Sequence, residues 1–158
     1  MSQEREIEAL DQDRLLSTWR WLCPQPLTII DRNAFGDLFL CDNSGRVHKL
    51  DVGVGSFLPV AESEFEFREL AEKPERREEW FAEKSAQSAS ERGITPGLGQ
   101  CIGFNIPTVF AQGGGLDSAY VADIYDVVGF LGDLHHQIAD LPDGSKVKLV
   151  VRPDPSGL

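Results

Sequence analysis

Three histidines, three cysteines and two glycine clusters are the parts of this 158-residue chain whose types could do chemistry. His48 shares the apolar face of an alternating run with Leu50 and Val52, and His135 falls inside the apolar stripe of a helix, so both read as core or core-edge residues. His136 projects about 100° away from His135 on a helix. The adjacent pair therefore cannot easily grip one ion, since helical metal pairs use wider spacings. "GLGQCIG" (Gly97 to Gly103) has the look of a phosphate-binding turn, but a strand rather than a helix N-terminus follows it. "GGG" (Gly113 to Gly115) lacks the Lys-Ser/Thr of a P-loop, and no GxSxG, HExxH or EF-hand pattern is present. Cys23, Cys41 and Cys101 form no CxxC motif, and an odd number of thiols fits a reducing compartment better than a disulfide framework. The sequence thus nominates no catalytic, cofactor-binding or metal residue, and no cofactor.

Charge is the more informative signal. The formal net charge is -11, which argues against a nucleic-acid backbone as partner and is compatible with a basic protein. Solubility alone is the bland explanation of the same number. From Gly93 to Ser145 there is no Lys or Arg, yet there are six aspartates: Asp117, Asp123, Asp126, Asp133, Asp140 and Asp143. Asp126, Asp133 and Asp140, spaced by seven, fall nearly in line on the outside of one helix and form a candidate partner-binding face. Glu75, Glu78 and Glu79 form a second candidate patch. They sit in a stretch, Glu62 to Glu83, where nine Glu face four Lys or Arg, the pattern of a solvated, partly paired helix pair.

The elements that position these groups follow from periodicity. Residues 4–21 read as one amphipathic helix through Ile7, Leu10, Leu15 and Trp19, ended by Pro24 and Pro26. Leu27 to Ile30 opens a β region, and Leu38 to Cys41 is apolar on both faces, as a central strand would be. Val47 to Val52 alternates, with Gly45 supplying a hairpin turn before it. Pro59 places the strand Ser56 to Val60 at a sheet edge. Ser63 and Glu66 form a capping box for a helix carrying Phe65 and Leu70, and Pro74 starts a helix that runs to about Ser90 and stops at Gly93. Residues 93–121 read as short strands and turns continuing the sheet, at Cys101 to Phe104 and Thr108 to Ala111. Asp123 caps a last helix with the stripe Ile124, Val127, Val128, Leu131, Leu134 and Ile138, followed by a strand at Lys146 to Val151. The expected fold is α+β: one domain over 1–158, with a central antiparallel meander and packed helices. It divides into an N-terminal helix (4–21), a sheet and helix core (22–151) and a short tail (152–158).

Three stretches taken in order resemble a known family. "FGDLFLCDNSGRVHKLDVGVGSFLPVAES", "GQCIGFNIPTVFAQGGG" and "VADIYDVVGFLGDLHHQIADLPDG" are similar to the C-terminal domain family of type VI secretion system immunity proteins. The resemblance covers roughly Leu22 to Gly144, with Ile102 standing where an aromatic is common. It implies an α/β protein with a central antiparallel sheet. It also implies neutralisation of a toxin, characteristically a DNase effector, by direct binding in the cytoplasm. The family offers no established catalytic residues to carry over, and its motif positions Phe35, Gly36, Asp37, Leu50, Asp51, Gly103 and Phe104 look architectural.

The expected function is accordingly non-enzymatic: an immunity-type protein that occludes a basic, nuclease-like toxin in the cytoplasm. The charged N-terminus "MSQEREIEALDQDR" has no apolar run of a signal peptide, and no segment has the ~18 apolar residues of a membrane helix. Neither a nucleic acid nor a membrane is expected as partner. Two alternatives stand beside it: a small-ligand sensor or regulatory module using the Gly-rich 93–121 region, and a hydrolase using His136 with a nearby Asp.

Overall fold

The alternation of apolar side chains in residues 27–61 produces a four-stranded antiparallel meander: β1 (Leu27–Arg32), β2 (Leu38–Asp42), β3 (Val47–Asp51) and β4 (Ser56–Ala61), in that spatial order. The computed structural model describes residues 2–105, 107, 109–110, 115–142 and 144–146, without the side chains of 2–4. The strand expected at Lys146 to Val151, the run Thr108 to Ala111, the "GGG" cluster, Asp143 and the tail 152–158 lie wholly or partly outside them.

Successive residues of a strand point to opposite faces, so β2 feeds two cores. Leu38 and Leu40 join Leu50, Val52 and Ile29 beneath Leu15, Leu16 and Trp19 and beneath Ile124, Val127 and Val128 of the last helix. Phe39 points the other way, into a cluster with Val47, Ala61, Phe67, Trp80 and Phe81. Burying each of these large side chains contributes about 1.5–3 kcal/mol. The register Leu38↔Leu50 and Leu40↔His48 keeps the first set on one face. Pro59 does lie on an edge strand, as its missing N–H requires.

Four expectations need correction. The helix expected over 4–21 is two helices, α1 (Ser2–Ala9) and α2 (Gln12–Leu16), followed by a 3-10 turn at Ser17–Trp19. Asp11 causes the break, because its side chain accepts from Arg14 N–H and caps α2. Ser63 caps α3 (Glu64–Leu70) by accepting from Glu66 N–H, but Phe65 is 74% exposed and Phe67 is the buried anchor. The helix expected from Pro74 to Ser90 is split into α4 (Pro74–Phe81) and α5 (Glu83–Glu91) by Ala82, whose φ of 49° is left-handed. Residues 93–121 do not continue the meander. Instead β5 (Gln100–Phe104) pairs with β6 (Ala119–Asp123) in a separate two-stranded sheet, tied to the β1–β2 turn by Ile102 N–H donating to Ala34 O at 2.8 Å. The aspartates of 93–145 have no Lys or Arg within their own segment, and Asp117 is paired at 2.8 Å by Arg92, the residue just before that segment.

The last helix, α6 (Ile124–Ile138), is capped by Asp123 as expected and buries Ile124, Val127, Val128 and Leu134. Its approach to the N-terminal segment is close. A Cβ at Gly132 would lie 2.8 Å from Thr18 Cβ and 2.7 Å from Thr18 O, so only glycine permits this crossing. Trp19 and Trp21 donate their indole N–H groups to the α6 carbonyls of Val128 (2.9 Å) and Gly132 (3.3 Å). A buried ion pair fixes the opposite end. Arg32 Nε and Nη2 bind Glu6 at 2.8 and 3.0 Å, Arg32 Nη1 donates to Gln100 O, and Glu6 accepts from Gly99 N–H at 2.7 Å. The result is a single α+β domain. Among the described residues no helix is long and apolar enough to cross a membrane.

Candidate functional site

The ends of several elements meet around a cavity of about 580 Å3, within the range usual for small-molecule sites. Phe35 and Asp37 come from the β1–β2 turn, Asp51 from the end of β3, and Gly53 and Val54 from the turn that follows. Ala82 and Ser85 enter from the α4–α5 junction. Ile102, Gly103, Phe104 and Asn105 come from β5 and the residue after it, Tyr120 and Ala122 from β6, and Asp126, Val127, Phe130 and Leu131 from α6. The Phe35 and Phe104 rings lie nearly parallel with centroids 6.1 Å apart. Val54, Tyr120 and Phe130 expose 69%, 42% and 48% of their surface, so the apolar lining extends onto the rim.

The acidic groups come from the turns. Asp37 is buried, accepting from Val52 N–H at 2.9 Å and from Asn33 Nδ2 at 2.8 Å. Burial, and then the neighbouring Asp51 carboxylate, push its pKa up to about 6 despite those donors and Lys49. Asp51 folds its own turn by accepting from Gly53 N–H (3.0 Å) and Val54 N–H (2.9 Å). Lys49 Nζ stands 3.9 Å from a carboxylate oxygen of each aspartate and donates to Glu79 O at 3.2 Å. Behind the turn, His135 Nε2 lies 3.0 Å from Val52 O, and burial holds its pKa below the usual histidine value. The Val52 peptide is thus gripped by Asp37 at its N–H and by neutral His135, donating, at its carbonyl. Gly55 is required nearby, because its φ is +80° and a Cβ there would come within 2.6 Å of the His135 ring.

The acidic residues singled out from sequence fall in two places. Asp126, Asp133 and Asp140 are all exposed on the outer side of α6 and just beyond its end, and among the described residues none forms an ion pair. Asp126 also lines the cavity, which Asp133 and Asp140 do not. Glu75, Glu78 and Glu79 lie on α4, away from α6 in sequence and differently engaged. Glu79 pairs with Arg76 at 2.6 Å and Glu78 accepts from Lys84 N–H at 3.0 Å, while Glu75 is exposed.

The histidines and thiols are held by the fold. His48 Nε2 pairs with Asp42 at 2.9 Å and its ring stacks on Phe57, leaving a buried Nδ1 without a partner among the described residues. The Ser44 hydroxyl and then His48 hold the Asp42 carboxyl well below the usual range. His136 is exposed and stacks on Trp21 with ring centroids 5.0 Å apart. Burial pushes the Cys23 thiol up to about 11 and Cys101 to about 12, which suppresses the reactive thiolate. No three His, Cys, Asp or Glu side chains among the described residues are placed to hold a metal ion.

Neither a family model nor a curated protein matches this chain.

The cavity itself is not visible in the sequence pattern. One local signal points to it: Phe130 falls outside the apolar stripe of α6, so an aromatic is shown to something other than the core.

Proposed function

We propose that this chain is a non-enzymatic binding protein of the immunity type, which neutralises a basic, nuclease-like toxin in the cytoplasm by covering its active surface. The outward face of α6 carries the reading: Asp126, Asp133 and Asp140 are exposed and unpaired among the described residues. A nuclease must attract phosphates, so its cleft is basic. An acidic face can occupy that field, exclude DNA and speed encounter at low salt. The apolar rim beside Asp126 (Val54, Tyr120 and Phe130) supplies the desolvated anchors that such an interface needs at its centre. The resemblance in motif order supports the same assignment and names a DNase effector as the expected partner.

The test is a tagged pull-down from native lysate with wild type and with the Asp126→Lys, Asp133→Lys, Asp140→Lys variant, at low and high salt. The captured protein is then assayed for nuclease activity with and without the wild-type chain. Retention of a nuclease by wild type, its loss in the variant and at high salt, and inhibition of its activity are expected. Equal retention by the variant would remove α6 from the interface. A second reading is favoured by the cavity itself, whose walls include Ile102 to Asn105 and Tyr120 of the 93–121 region: a small-ligand sensor or regulatory module. A thermal-shift panel of metabolites and nucleotides addresses it, since saturating ligand at ~100 times Kd stabilises by about 2.7 kcal/mol.

A further inference from the structure

We propose that the cavity between the β3–β4 turn, β5 and α6 binds a small, free organic cation with a flat apolar body, of the amidinium or guanidinium class. The inference rests on the second reading above, that the cavity is a ligand site, and adds the chemistry of the ligand.

Size and lining set the body of the ligand. A volume of about 580 Å3 accommodates a molecule larger than a single amino-acid side chain. The parallel Phe35 and Phe104 rings and the rim aromatics Tyr120 and Phe130 favour a planar apolar group and, through their ring faces, a positive charge.

Charge sets the head group. Asp37, Asp51 and Asp126 all line the cavity, and no Lys, Arg or His is among the described lining residues. The single ammonium close to the first two, Lys49 Nζ, stands 3.9 Å from each and is shared with Glu79 O. Three carboxylates against one shared ammonium leave an excess of negative charge beside a partly desolvated apolar wall. An anionic ligand would be repelled there, and a neutral one would leave the excess unanswered. A delocalised cation answers it, and its weaker hydration makes entry less costly than for a bare ammonium.

Benzamidine and benzamide test this, because they share shape and differ in charge. The intact protein is titrated with each by two-dimensional amide NMR, alongside N-acetyl-arginine amide. Saturable benzamidine binding at least tenfold tighter than benzamide is expected, with shifts at the Gly53, Val54 and Gly103 amides. Asp126→Asn and Asp51→Asn should each weaken benzamidine severalfold. The second variant keeps an amide oxygen to accept from Gly53 and Val54, so its turn can persist, and an unchanged melting temperature checks that. Should Asp51→Asn fail to fold, Asp126→Asn decides alone. Equal affinity for the two probes would overturn the cation preference while leaving a ligand pocket in place. No binding of any probe would overturn both. Binding of the arginine amide with none of benzamidine would overturn the free-ligand assignment and make the cavity a socket for a partner's side chain.

Discussion

The stretch from Glu62 to Arg92 and the helix α6 are both rich in acid; among the described residues the fold ion-pairs Glu62, Glu64, Glu79 and Glu83 of the first and leaves Glu69, Glu72, Glu75 and Glu91 unpaired, whereas it pairs none of Asp126, Asp133 and Asp140. In the first, Arg46 reaches Glu62, Arg68 reaches Glu64, Arg76 reaches Glu79 and Arg77 reaches Glu83, at 3.3, 3.5, 2.6 and 3.0 Å. Arg68 also bridges to Asp31 of β1 at 2.9 Å, so α3 is fastened to the sheet by charge. In α6 the cap Asp123 serves the helix, while Asp126, Asp133 and the following Asp140 face solvent with no cation opposite among the described residues. Exposed pairs are individually worth about 0–1 kcal/mol. The difference is therefore less about stability than about availability. A carboxylate with a partner in its own chain has already lost part of its field, and one without keeps all of it for something outside.

The sharpest way to break the comparison is to remove a carboxylate that the interior already uses. Glu6→Ala leaves the Arg32 guanidinium buried with only the Gln100 and Gly97 carbonyls, and it strips Gly99 N–H of its acceptor. The expected loss is about 3–5 kcal/mol in urea unfolding. A loss below about 1 kcal/mol would mean that water reaches the site and that Glu6 is no more bound into the fold than the α6 aspartates.

Asp37 comes next and is read through pH. Its folded pKa, near 6, lies above the unfolded value, so between about pH 4 and 6 the native state holds more protons than the unfolded one. Stability from this group is greatest at low pH and falls as pH rises through that window, by on the order of 3 kcal/mol. His135 acts in the opposite sense. Its folded pKa is lowered, so its contribution is present above pH ~6.5 and falls away on acidification. The groups facing Asp37 (Asp51, Lys49, Asn33 and the Val52 N–H) all remain in Asp37→Asn. That variant should therefore lose stability on acidification more steeply than wild type, when urea midpoints are measured from pH 7 to 4. Parallel curves would show that Asp37 titrates normally.

How far these assignments could be read from the sequence depends on how local their cause is. The double-faced burial of β2, the Ser63 cap, the edge position of Pro59 and the whole of α6 follow from periodicity and caps within a few residues, and all four are present. The break at Asp11 is locally visible too, since Asp is a favoured N-cap whose side chain accepts from a backbone N–H three residues on, but continuous apolar spacing from Ile7 to Trp19 masks it. Ala82 carries no such signal. Its left-handed φ follows Trp80 and Phe81, whose rings pack on Phe39 some forty residues away. The cavity is the least local feature, because turns, two sheets and a helix must all be placed before it exists.

Glu78→Ala sharpens the same boundary at smaller scale. Glu78 accepts from Lys84 N–H and so caps α5 from across the Ala82 break, in place of a residue at the cap itself. Its loss should cost about 1 kcal/mol, as for other cap deletions. The amides of Glu83 and Lys84 should exchange faster with solvent. A neutral result would return Glu78 to the pool of unengaged surface acid, beside Glu75.

The smallest effect on folding is expected from the triple reversal Asp126→Lys, Asp133→Lys, Asp140→Lys, and its smallness is the point. Residues seven apart on a helix are separated by about 10.5 Å along its axis. At physiological salt that exceeds the Debye length, so relief of repulsion contributes little. Asp126 sits in the first turn, where the helix dipole favours a carboxylate, so its reversal costs about 0.3–1 kcal/mol. Asp140 lies just past the C-terminus, where the same dipole favours a cation, so its reversal returns a similar amount. Asp133 lies between the two ends and should be near neutral. The sum leaves the urea midpoint close to wild type while the net charge moves from -11 to -5 (three sites, two charges each). If the variant instead unfolds easily, the fold depends on the α6 acids no less than on those of α4. The contrast between the two regions then collapses, and with it the argument that α6 is kept for a partner.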